Sequence, residues 1–460
     1  MPQPLLTQDI RQAIASRRWR SLSDRQTVWS EPDIVGPDLA DLMSELGPED
    51  LSACFQALPH NLALSVFTHL VDHPAARTTL LATLSQRDMR QLLSELSPDD
   101  RTAFLGHLPG QLTQGLLNLL DSNELEETRL LLGYPVNSVG RIMTPDYVAV
   151  RPDWQVSQAL EHIRARGENN ESLDVIYVCD ETWHLLDALP LRIFILAPPD
   201  VSVREAMDSS FIELSPFDDR EAALRLFERY DVVALPVVDS EGVLLGVVTV
   251  DDILDVAEKE FTEDFQRFAA IEPIETSYWQ TSVGQFYRSR VVWLGALVLF
   301  SLLSSGVIAA FEETLSSLVV LSFFIPLLMG AGGNTGSQSA TIIIRALSAG
   351  NIKLTQWWPV VRREALTGLA LGLSLGLLGF VLGTVQAGGA SGDGLKVGFV
   401  IFLTMTLLLC VTNLLGATLP FVMTRLKLDP ASASGPVVAS ISDTIGLLIY
   451  FSLARFVLNL

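Results

Sequence analysis

Three kinds of hydrophobic pattern follow one another along the 460-residue chain. Between about residues 37 and 127, apolar residues recur every three or four positions between short breaks, which predicts a series of short amphipathic helices. Between residues 142 and 254, short apolar runs alternate with helical segments, which predicts strands and helices in turn. Beyond residue 290 the chain consists mainly of long, nearly uncharged stretches. The pattern predicts a helical domain, a mixed domain and a membrane domain, in that order.

Five apolar stretches make up the last region, and each is long enough for the roughly 20 residues that a helix needs to cross a hydrocarbon core. They cover residues 291–311, 314–344, 365–389, 397–424 and 431–454. The sequence therefore predicts an α-helical membrane domain with five spans in a lipid bilayer.

A repeat of fifty residues marks the first region. Ser44-Glu-Leu-Gly-Pro48 recurs as Ser94-Glu-Leu-Ser-Pro98. In each copy a proline stands where a helix begins and acids follow in the first turn, where they complement the helix dipole. This pattern predicts an all-α superhelical stack that is closer to a solenoid than to a bundle. Asp99 is most simply a helix-start acid, and the alternative is a ligand for a cation.

A second repeat occupies the mixed region, with a shift of 64 residues between Met143 and Met207 (207 − 143). Each copy reads as strand, helix and strand, and the second adds a hairpin that runs into a helix. This β-α-β-β-α order resembles a tandem pair of CBS domains, a regulatory module that often binds adenine nucleotides. The first copy departs between residues 185 and 196, because it lacks the Gly-turn and the Ser/Thr-x-x-Asp ending that normally holds a ribose. This departure argues against ATP as a ligand.

An acidic amphipathic helix is predicted from residue 251 to residue 268. It carries seven acids against two bases, Lys259 and Arg267, and an apolar stripe at three- and four-residue spacing. Like charges this dense repel one another along a helix. The pattern is typical of a solvated acidic face. The position of the helix just before the membrane domain favours a sensor of divalent cations equally, so both interpretations stand.

Charge is unevenly distributed along the chain, whose formal net charge is −22. Residues 1–290 contain 23 basic and 47 acidic residues, a net of −24, and residues 291–460 contain 8 and 6, a net of +2. An acidic soluble half argues against nucleic acid and anionic lipid as partners and favours cations. The three cysteines show no metal-ligand spacing, and no apolar signal-peptide core precedes the first region. The soluble half is therefore expected in the cytosol.

The basic residues near the spans predict the orientation of the membrane domain. They precede the first span, lie between the second and third, and lie between the fourth and fifth. The positive-inside rule then predicts a multi-pass protein of the cell (inner) membrane with a cytoplasmic N-terminus and a C-terminus outside. Arg455, just past the fifth span, is the one base that opposes this orientation.

Asp443 is the only charged residue in the fifth stretch. A carboxylate at that depth costs at least ~2.5 kcal/mol on insertion scales, so it is by default a functional residue that faces a wet path. Pro436 lies upstream and is predicted to release backbone carbonyl oxygens beside the acid. Carbonyls and a carboxylate suit a hard cation. The alternative is a buried structural aspartate.

The second stretch ends in a segment rich in small residues, 330–341. Small residues allow another helix, or an ion, to approach the backbone closely. Asn334, Thr335 and Gln338 would add uncharged oxygen ligands around a hydrated cation as pore-lining candidates. Packing alone is the alternative interpretation.

Two long membrane motifs carry a resemblance to a known family. Gly330-Ala-Gly-Gly-Asn-Thr-Gly-Ser-Gln-Ser-Ala-Thr341 and Ser442-Asp-Thr-Ile-Gly-Leu-Leu-Ile-Tyr450, with Thr249-Val-Asp-Asp-Ile-Leu-Asp255 upstream, resemble the MgtE magnesium channel family. The resemblance covers nearly the whole chain in the family's domain order. It implies a homodimeric magnesium channel that closes when cytosolic Mg²⁺ binds to its acidic N, CBS and connecting-helix region.

The resemblance also assigns residues. Asp443 would be the pore acid that holds hydrated Mg²⁺, with the Ala439 carbonyl on the same path and Asp429 as a further cation position. The sensor positions that it implies in the cytosolic half are Asp219, Glu221, Asp231, Asp252, Asp255, Glu260, Glu263, Asp264 and Gly140. Gly435 and Ser337 depart from the family pattern, in which asparagine is usual, so the resemblance assigns no side-chain contact there.

The resemblance divides the chain into an N-terminal extension (1–36), a helical N domain (37–133), a CBS pair (134–256), a connecting helix and linker (257–285) and a membrane domain (286–460). The two CBS copies cover about residues 140–196 and 201–256. A proton-coupled divalent-metal secondary transporter is the main alternative function. Mn²⁺, Co²⁺ and Ca²⁺ remain open as alternative cations. No hydrolytic or nucleophilic constellation is present, so an enzyme is not expected.

Overall fold

The computed structural model describes residues 36–459, except for 45, 71–72, 168–169, 171, 275–277, 279–280, 390–391 and 433–434. The predicted N-terminal extension lies outside the described residues apart from Gly36. The chain divides into two compact units. The first is Met1–Glu258 with Thr276–Gln280, and the second is Lys259–Glu275 with Thr281–Leu460.

Short helices form the first part of the first unit. In the described residues these are α1 Gly36–Ser44, α2 Pro48–Gln56, α3 His60–Leu70, α4 Pro74–Thr83, α5 Gln86–Glu95, α6 Pro98–Gly106, α7 Gly110–Leu117 and α8 Ser122–Gly133. Pro48 and Pro98 each stand in the first turn of a helix, as predicted, where the missing N–H costs nothing. Leucines and phenylalanines from successive helices share one apolar core, in which the rings of Phe67 and Phe104 lie 5.0 Å apart. The all-α N domain is confirmed.

The CBS pair follows in the same unit, after a 3₁₀ turn at Val139–Arg141. Its first copy contains β1 Ala149–Val150, α9 Val156–Arg166, β2 Val175–Cys179, β3 Leu185–Pro190 and α10 Leu191–Leu196. Its second copy contains α11 Val203–Ala206, α12 Arg220–Tyr230, β4 Ala234–Val238 and β5 Leu244–Thr249. β1 pairs with β2 in parallel, and β2–β3 and β4–β5 are antiparallel hairpins. The α+β pair is confirmed.

The hairpin turn of the first copy forms although it lacks the glycine. Trp183 takes the left-handed conformation there, with φ 66°, which Gly242 takes in the second copy with φ 83°. Two features stabilise the turn: Asp180 Oδ1 accepts hydrogen bonds from the backbone N–H groups of Thr182 and His184, and the Arg151 guanidinium lies 4.9 Å from the centre of the Trp183 ring. Local hydrogen bonds and stacking thus offset the strain of a left-handed conformation at a residue that is not glycine.

The connecting helix, α13 Val250–Phe268, begins directly after β5. Its first nine residues belong to the first unit and the remainder to the second, since the division falls between Glu258 and Lys259. The predicted acidic helix therefore exists as one continuous element.

The membrane unit consists of long helices joined by short turns. In the described residues these are α14 Val283–Ala310, α15 Glu312–Ser317, α16 Ile325–Ser348, α17 Trp357–Gln386, α18 Gly392–Arg425 and α19 Gly435–Leu458, with 3₁₀ segments at Val319–Phe324, Leu354–Gln356 and Pro430–Ser432. Five segments of the described chain are long and apolar enough to cross a membrane: Val283–Ala310, Val319–Ser348, Leu354–Gln386, Asp393–Arg425 and Gly435–Leu458. The predicted five spans are confirmed.

The second span is not one continuous helix. Residues 319–324 form a 3₁₀ segment, and α16 begins only at Ile325, with Pro326 in its first turn. The buried Tyr450 hydroxyl on α19 donates a hydrogen bond of 2.8 Å to the Leu321 carbonyl. Non-helical backbone at membrane depth needs such internal partners, because lipid offers none.

A row of buried glycines joins two of the spans. They lie on α17 at positions 368, 372, 376, 379 and 383. A Cβ at Gly372 would stand 2.7 Å from the Thr406 Cα on α18, so no side chain fits there without movement. The row lets α17 and α18 pack with their backbones close together.

Candidate functional site

A pocket of about 460 Å³ lies between α16 and α19 in the membrane unit. It is lined by Met329, Gly330, Gly333, Asn334, Ser337, Gly435, Pro436, Ala439 and Asp443. Asp443 is the only charged residue among them. The remaining lining residues are small, apolar or uncharged, so Asp443 supplies the charge of this lining.

Helical spacing explains which residues meet there. On α16 the lining positions form two adjacent rows with four-residue spacing, 329, 333 and 337 beside 330 and 334, which places them along one face. On α19, Ala439 and Asp443 are four residues apart and share a face for the same reason. Gly333 lets the helices approach, because a Cβ there would lie 3.3 Å from the Ala439 Cβ and 3.9 Å from Asp443 Oδ1.

The structure separates the three uncharged candidates on α16. Asn334 lines the pocket together with Asp443 and Ala439. Thr335 is buried on the packed face of the helix, with 7% of its surface exposed, and Gln338 is exposed and does not line the pocket. Ser337, to which the sequence assigned no contact, lines the pocket and donates a 3.1 Å hydrogen bond to the Gly435 carbonyl. Asn334 and Ser337 are therefore the polar neighbours of the acid.

The interpretation of Pro436 was wrong. It was predicted to interrupt the fifth span and free carbonyls beside Asp443, but α19 begins at Gly435, so Pro436 is its second residue. Proline is accommodated in the first turn of a helix because the N–H groups there have no partner within the helix. Its own carbonyl accepts a hydrogen bond of 2.9 Å from the Ser440 hydroxyl. The pocket therefore begins at a helix start, not at a kink.

A second group of charges lies just before the start of α19. Arg267, near the end of α13, donates to Asp429 Oδ2 at 2.5 Å and forms an ion pair with Glu263. Asp429 Oδ1 accepts a further bond of 2.8 Å from the Ala431 backbone N–H. Two of the implied cation positions are thus joined by a guanidinium.

The next residue of α13, Phe268, fixes this helix end on the membrane unit. It packs against a buried cluster that contains Ala431 and Val438. Its Cζ would lie 3.4 Å from a Cβ at Gly435, a residue that lines the pocket. The end of the connecting helix therefore lies at the edge of the Asp443 pocket.

In the first unit, acids of the N domain lie near acids at the start of α13. Asp99 is 5% exposed, and its Oδ1 has no hydrogen-bond partner within the described part of the chain. Burial, together with repulsion from the adjacent Asp100 carboxylate, raises the pKa of Asp99 to about 6. Burial also raises the pKa of Asp100, with added repulsion from Asp255 and Asp251. These four carboxylates form one region of negative potential.

The other implied sensor positions of the first unit have local structural contacts. Asp219 begins α12 and accepts a hydrogen bond from the Glu221 backbone N–H at 2.8 Å, and Glu221 forms an ion pair with Arg225. Asp231 ends α12 in a left-handed conformation with φ 50°. Asp252 accepts a 2.8 Å bond from the Thr249 hydroxyl.

The remaining implied positions are Gly140, Glu260 and Asp264. The Gly140 N–H donates to the Pro216 carbonyl at 2.8 Å, and a Cβ there would meet the Tyr134 ring at 2.6 Å. Glu260 and Asp264 lie four residues apart on α13, and so share one face. Among the residues that the structure describes, no three His, Cys, Asp or Glu side chains converge as a metal site does. Any cation at these positions would therefore be held by few direct ligands.

One acid of the membrane unit was missed. Glu364 lies inside α17 and accepts side-chain hydrogen bonds from two other spans. The third span was predicted to begin at residue 365, which put Glu364 in a loop. Its helical spacing from the downstream Gly368 was the signal that could have extended the span.

Comparison with known proteins gives matches over most of the chain. Residues 325–453 match a family described as divalent cation transporter, residues 37–137 match the MgtE intracellular N domain, and residues 139–192 and 203–259 match CBS domains. The chain is 40% identical to the magnesium transporter MgtE of Thermus thermophilus over 75% of this chain and 76% of that protein. It is 35% identical to that of Bacillus subtilis over 74% and 73%.

A solved structure is also similar. The cytosolic domain of the Mg²⁺ channel MgtE in complex with ATP is 36% identical, covers 54% of this chain and 98% of that chain, and superposes with a TM-score of 0.49. These two relatives, each matched over about three quarters of its length, establish the family together with the three family matches in the same order. The chain belongs to the MgtE family of divalent cation transporters.

Proposed function

We propose that this chain is a magnesium channel of the cell membrane whose ion path passes the Asp443 pocket. The observation that carries this proposal is the placement of one carboxylate, with Asn334 and Ser337, in a pocket of the membrane unit that is large enough for a hydrated ion. Mg²⁺ gives up its water reluctantly and prefers octahedral oxygen ligands. A single acid with neutral oxygen ligands can attract the ion and leave most of its water in place. The relatives from Thermus thermophilus and Bacillus subtilis, both magnesium transporters, support Mg²⁺ as the ion.

The chain would act as a homodimer. One acid for each subunit, doubled about a two-fold axis, would supply the negative charge that a divalent ion needs. The first span supports this arrangement, since none of the apolar part of α14 is buried within a single chain. Such a helix leaves an apolar surface that a second subunit can cover beside lipid.

We further propose that cytosolic Mg²⁺ closes the path by binding to the acidic region. Support comes from the pKa of Asp100, which burial raises and repulsion from Asp255 and Asp251 raises further, and from the dense charge along α13. A bound divalent ion would relieve that repulsion and favour the compact state, because a ligand stabilises the state that binds it. The end of α13, which Arg267 and Phe268 hold at the edge of the Asp443 pocket, would then remain in its closed position.

Flux in vesicles tests the channel against the proton-coupled alternative. With purified protein in liposomes, a potassium diffusion potential sets the voltage, and an internal dye reports Mg²⁺ entry. A channel gives a flux that follows the voltage and does not change when a pH gradient is imposed at fixed voltage. Protein-free liposomes are the control. Flux that follows the pH gradient at fixed voltage would refute the channel and favour the coupled transporter.

Asp99 offers a test of the acidic region through pH. Because its pKa in the folded protein is raised from 3.8 to about 6, the native state keeps a proton that the unfolded state loses between these values. The free energy of unfolding of the N domain should therefore fall as pH rises from about 4 to 6, by on the order of 2 kcal/mol. Millimolar Mg²⁺ above pH 6 should restore part of it. Asp99→Asn should remove both effects.

The measurement is amide hydrogen exchange of α5, α6 and α8 in the full-length protein, corrected for the intrinsic pH dependence of exchange. Asp88→Asn, which changes an exposed acid of the same domain, is the matched control and should behave as wild type. If wild-type protection rose with pH across this window, Asp99 would not be the titrating group.

A further inference from the structure

Glu364 lies where three spans of the membrane unit meet. Its Oε2 accepts a 2.9 Å hydrogen bond from the Ser339 hydroxyl on α16 and a 2.8 Å bond from Asn413 Nδ2 on α18. Asn413 Nδ2 also donates to the Glu364 backbone carbonyl at 2.7 Å. Ser339 and Asn413 are 2% and 3% exposed, so both donors are buried when they meet the half-buried acid. One carboxylate oxygen therefore links three helices.

Packing does not require an acid at this position. One turn further along α17, the seam with α18 is made by Gly368, where a Cβ would lie 2.9 Å from the Cys410 Cα and 3.0 Å from the Asn413 Cβ. Close backbone approach already holds this pair of helices together. A carboxylate in a span costs free energy, which two donors offset only in part. The glycine row joins α17 to α18 only. Glu364 adds a link to α16 through its hydrogen bond from Ser339.

The bond from Ser339 to Glu364 lies on the side of α16 that faces away from the pocket. Ser339 follows Ser337 by two positions, so the two side chains point to nearly opposite sides of the helix, about 200° apart. Ser337 and Asn334 face Asp443, whereas Ser339 faces Glu364. A hydrogen bond at the back of a helix resists rotation of that helix about its own axis. Loss of the bond from Ser339 to Glu364 would therefore act on the side of α16 that carries Asn334 and Ser337.

We propose that Glu364 is a positioning residue for cation passage: by holding Ser339, it keeps α16 in the rotation that directs Asn334 and Ser337 toward Asp443. The proposal rests on the proposed function only in taking the Asp443 pocket as the ion path. Glu364 acts as a hydrogen-bond acceptor and does not touch the ion. Its amide isostere, which keeps an acceptor oxygen, should therefore replace it.

The first test reads the rotation directly, without transport. Ser337→Cys is introduced into the full-length protein after Cys54, Cys179 and Cys410 are replaced by alanine, and its reaction with a charged, water-soluble thiol reagent is timed in liposomes. Glu364→Leu and Ser339→Ala are expected to slow labelling about tenfold, and Glu364→Gln to leave it within about twofold. Ser339→Ala keeps the assay informative if Glu364→Leu does not fold. Equal labelling in all of these variants would overturn the proposal.

The second test reads selectivity. For each amount of folded protein, Glu364→Leu and Ser339→Ala should lower the ratio of Mg²⁺ to Ca²⁺ flux several-fold, whereas Glu364→Gln should keep it. Loss of folded protein alone would scale both fluxes together and leave the ratio unchanged. A Glu364→Gln variant as impaired as Glu364→Leu would show that charge matters and would overturn the positioning role. Slower labelling with an unchanged flux ratio would uphold the rotation and refute the Asp443 pocket as the ion path.

Discussion

Asp443→Asn is expected to lower Mg²⁺ flux at least about a hundredfold while leaving the protein folded. Among the described residues that line the pocket, Asp443 alone is charged, and Asn334 and Ser337 cannot replace it electrostatically. Two unit charges about 4 Å apart interact by ~4 kcal/mol at an effective dielectric constant of about 20. A hundredfold loss needs only ~2.7 kcal/mol. The loss of one charge beside a divalent ion is therefore sufficient, even if water screens part of it.

The measurement is dye-reported Mg²⁺ entry into liposomes at fixed voltage, scaled to the amount of folded protein. Asp393→Asn, which removes an exposed acid of the same unit outside the pocket, is the matched control and should retain wild-type flux. Asp443→Glu keeps the charge but extends the side chain and should be intermediate. Wild-type flux in Asp443→Asn would remove Asp443 from the ion path.

Length and periodicity were enough to predict the architecture. Twenty apolar residues identify a span wherever they occur, so the five spans could be predicted although the ends of several shifted. The prolines of the N domain marked helix starts correctly at Pro48 and Pro98, because a local steric rule decides their position. Asp443 stood out for the same kind of reason, since a lone charge in an apolar stretch is visible in the sequence.

What the sequence could not predict depended on boundaries and on distant contacts. An error of four residues at the start of α19 turned Pro436 from a helix-start residue into a supposed break. The opposite error at α17 hid Glu364 in a loop. The bond between Arg267 and Asp429 joins residues 162 positions apart, and no local pattern indicates it. The resemblance implied that Asp429 and Glu263 are cation positions. Neither residue suggested that a guanidinium would lie between them.

If cytosolic Mg²⁺ closes the proposed channel, Arg267→Gln is expected to raise the Mg²⁺ concentration that half-closes it by about tenfold. The wild-type guanidinium makes charge-assisted bonds to Asp429 and Glu263. Such bonds contribute about 1.5–3 kcal/mol when buried, and about 1 kcal/mol or less when exposed, and here 35% of the Arg267 side chain is exposed, so water screens part of the interaction. A loss of ~1.4 kcal/mol from the closed state corresponds to a tenfold shift. The removed charge also leaves two carboxylates facing each other, which adds repulsion. The end of α13 is then held mainly by Phe268.

Inside-out patches exposed to increasing Mg²⁺ on the cytosolic side measure this shift. Lys259→Gln, at the exposed base of the same helix, is the matched control and should close as wild type does. A charge exchange makes the test specific: Arg267→Glu combined with Asp429→Arg should recover most of the wild-type closure, because the opposite charges face each other again, whereas Arg267→Glu alone should close least. A lower half-closing concentration in Arg267→Gln would mean that Mg²⁺ binds to Asp429 and Glu263 once the guanidinium is removed. The bound ion would then stabilise the closed state more than the guanidinium does. Arg267 would then compete with the ion and would not hold the closed state.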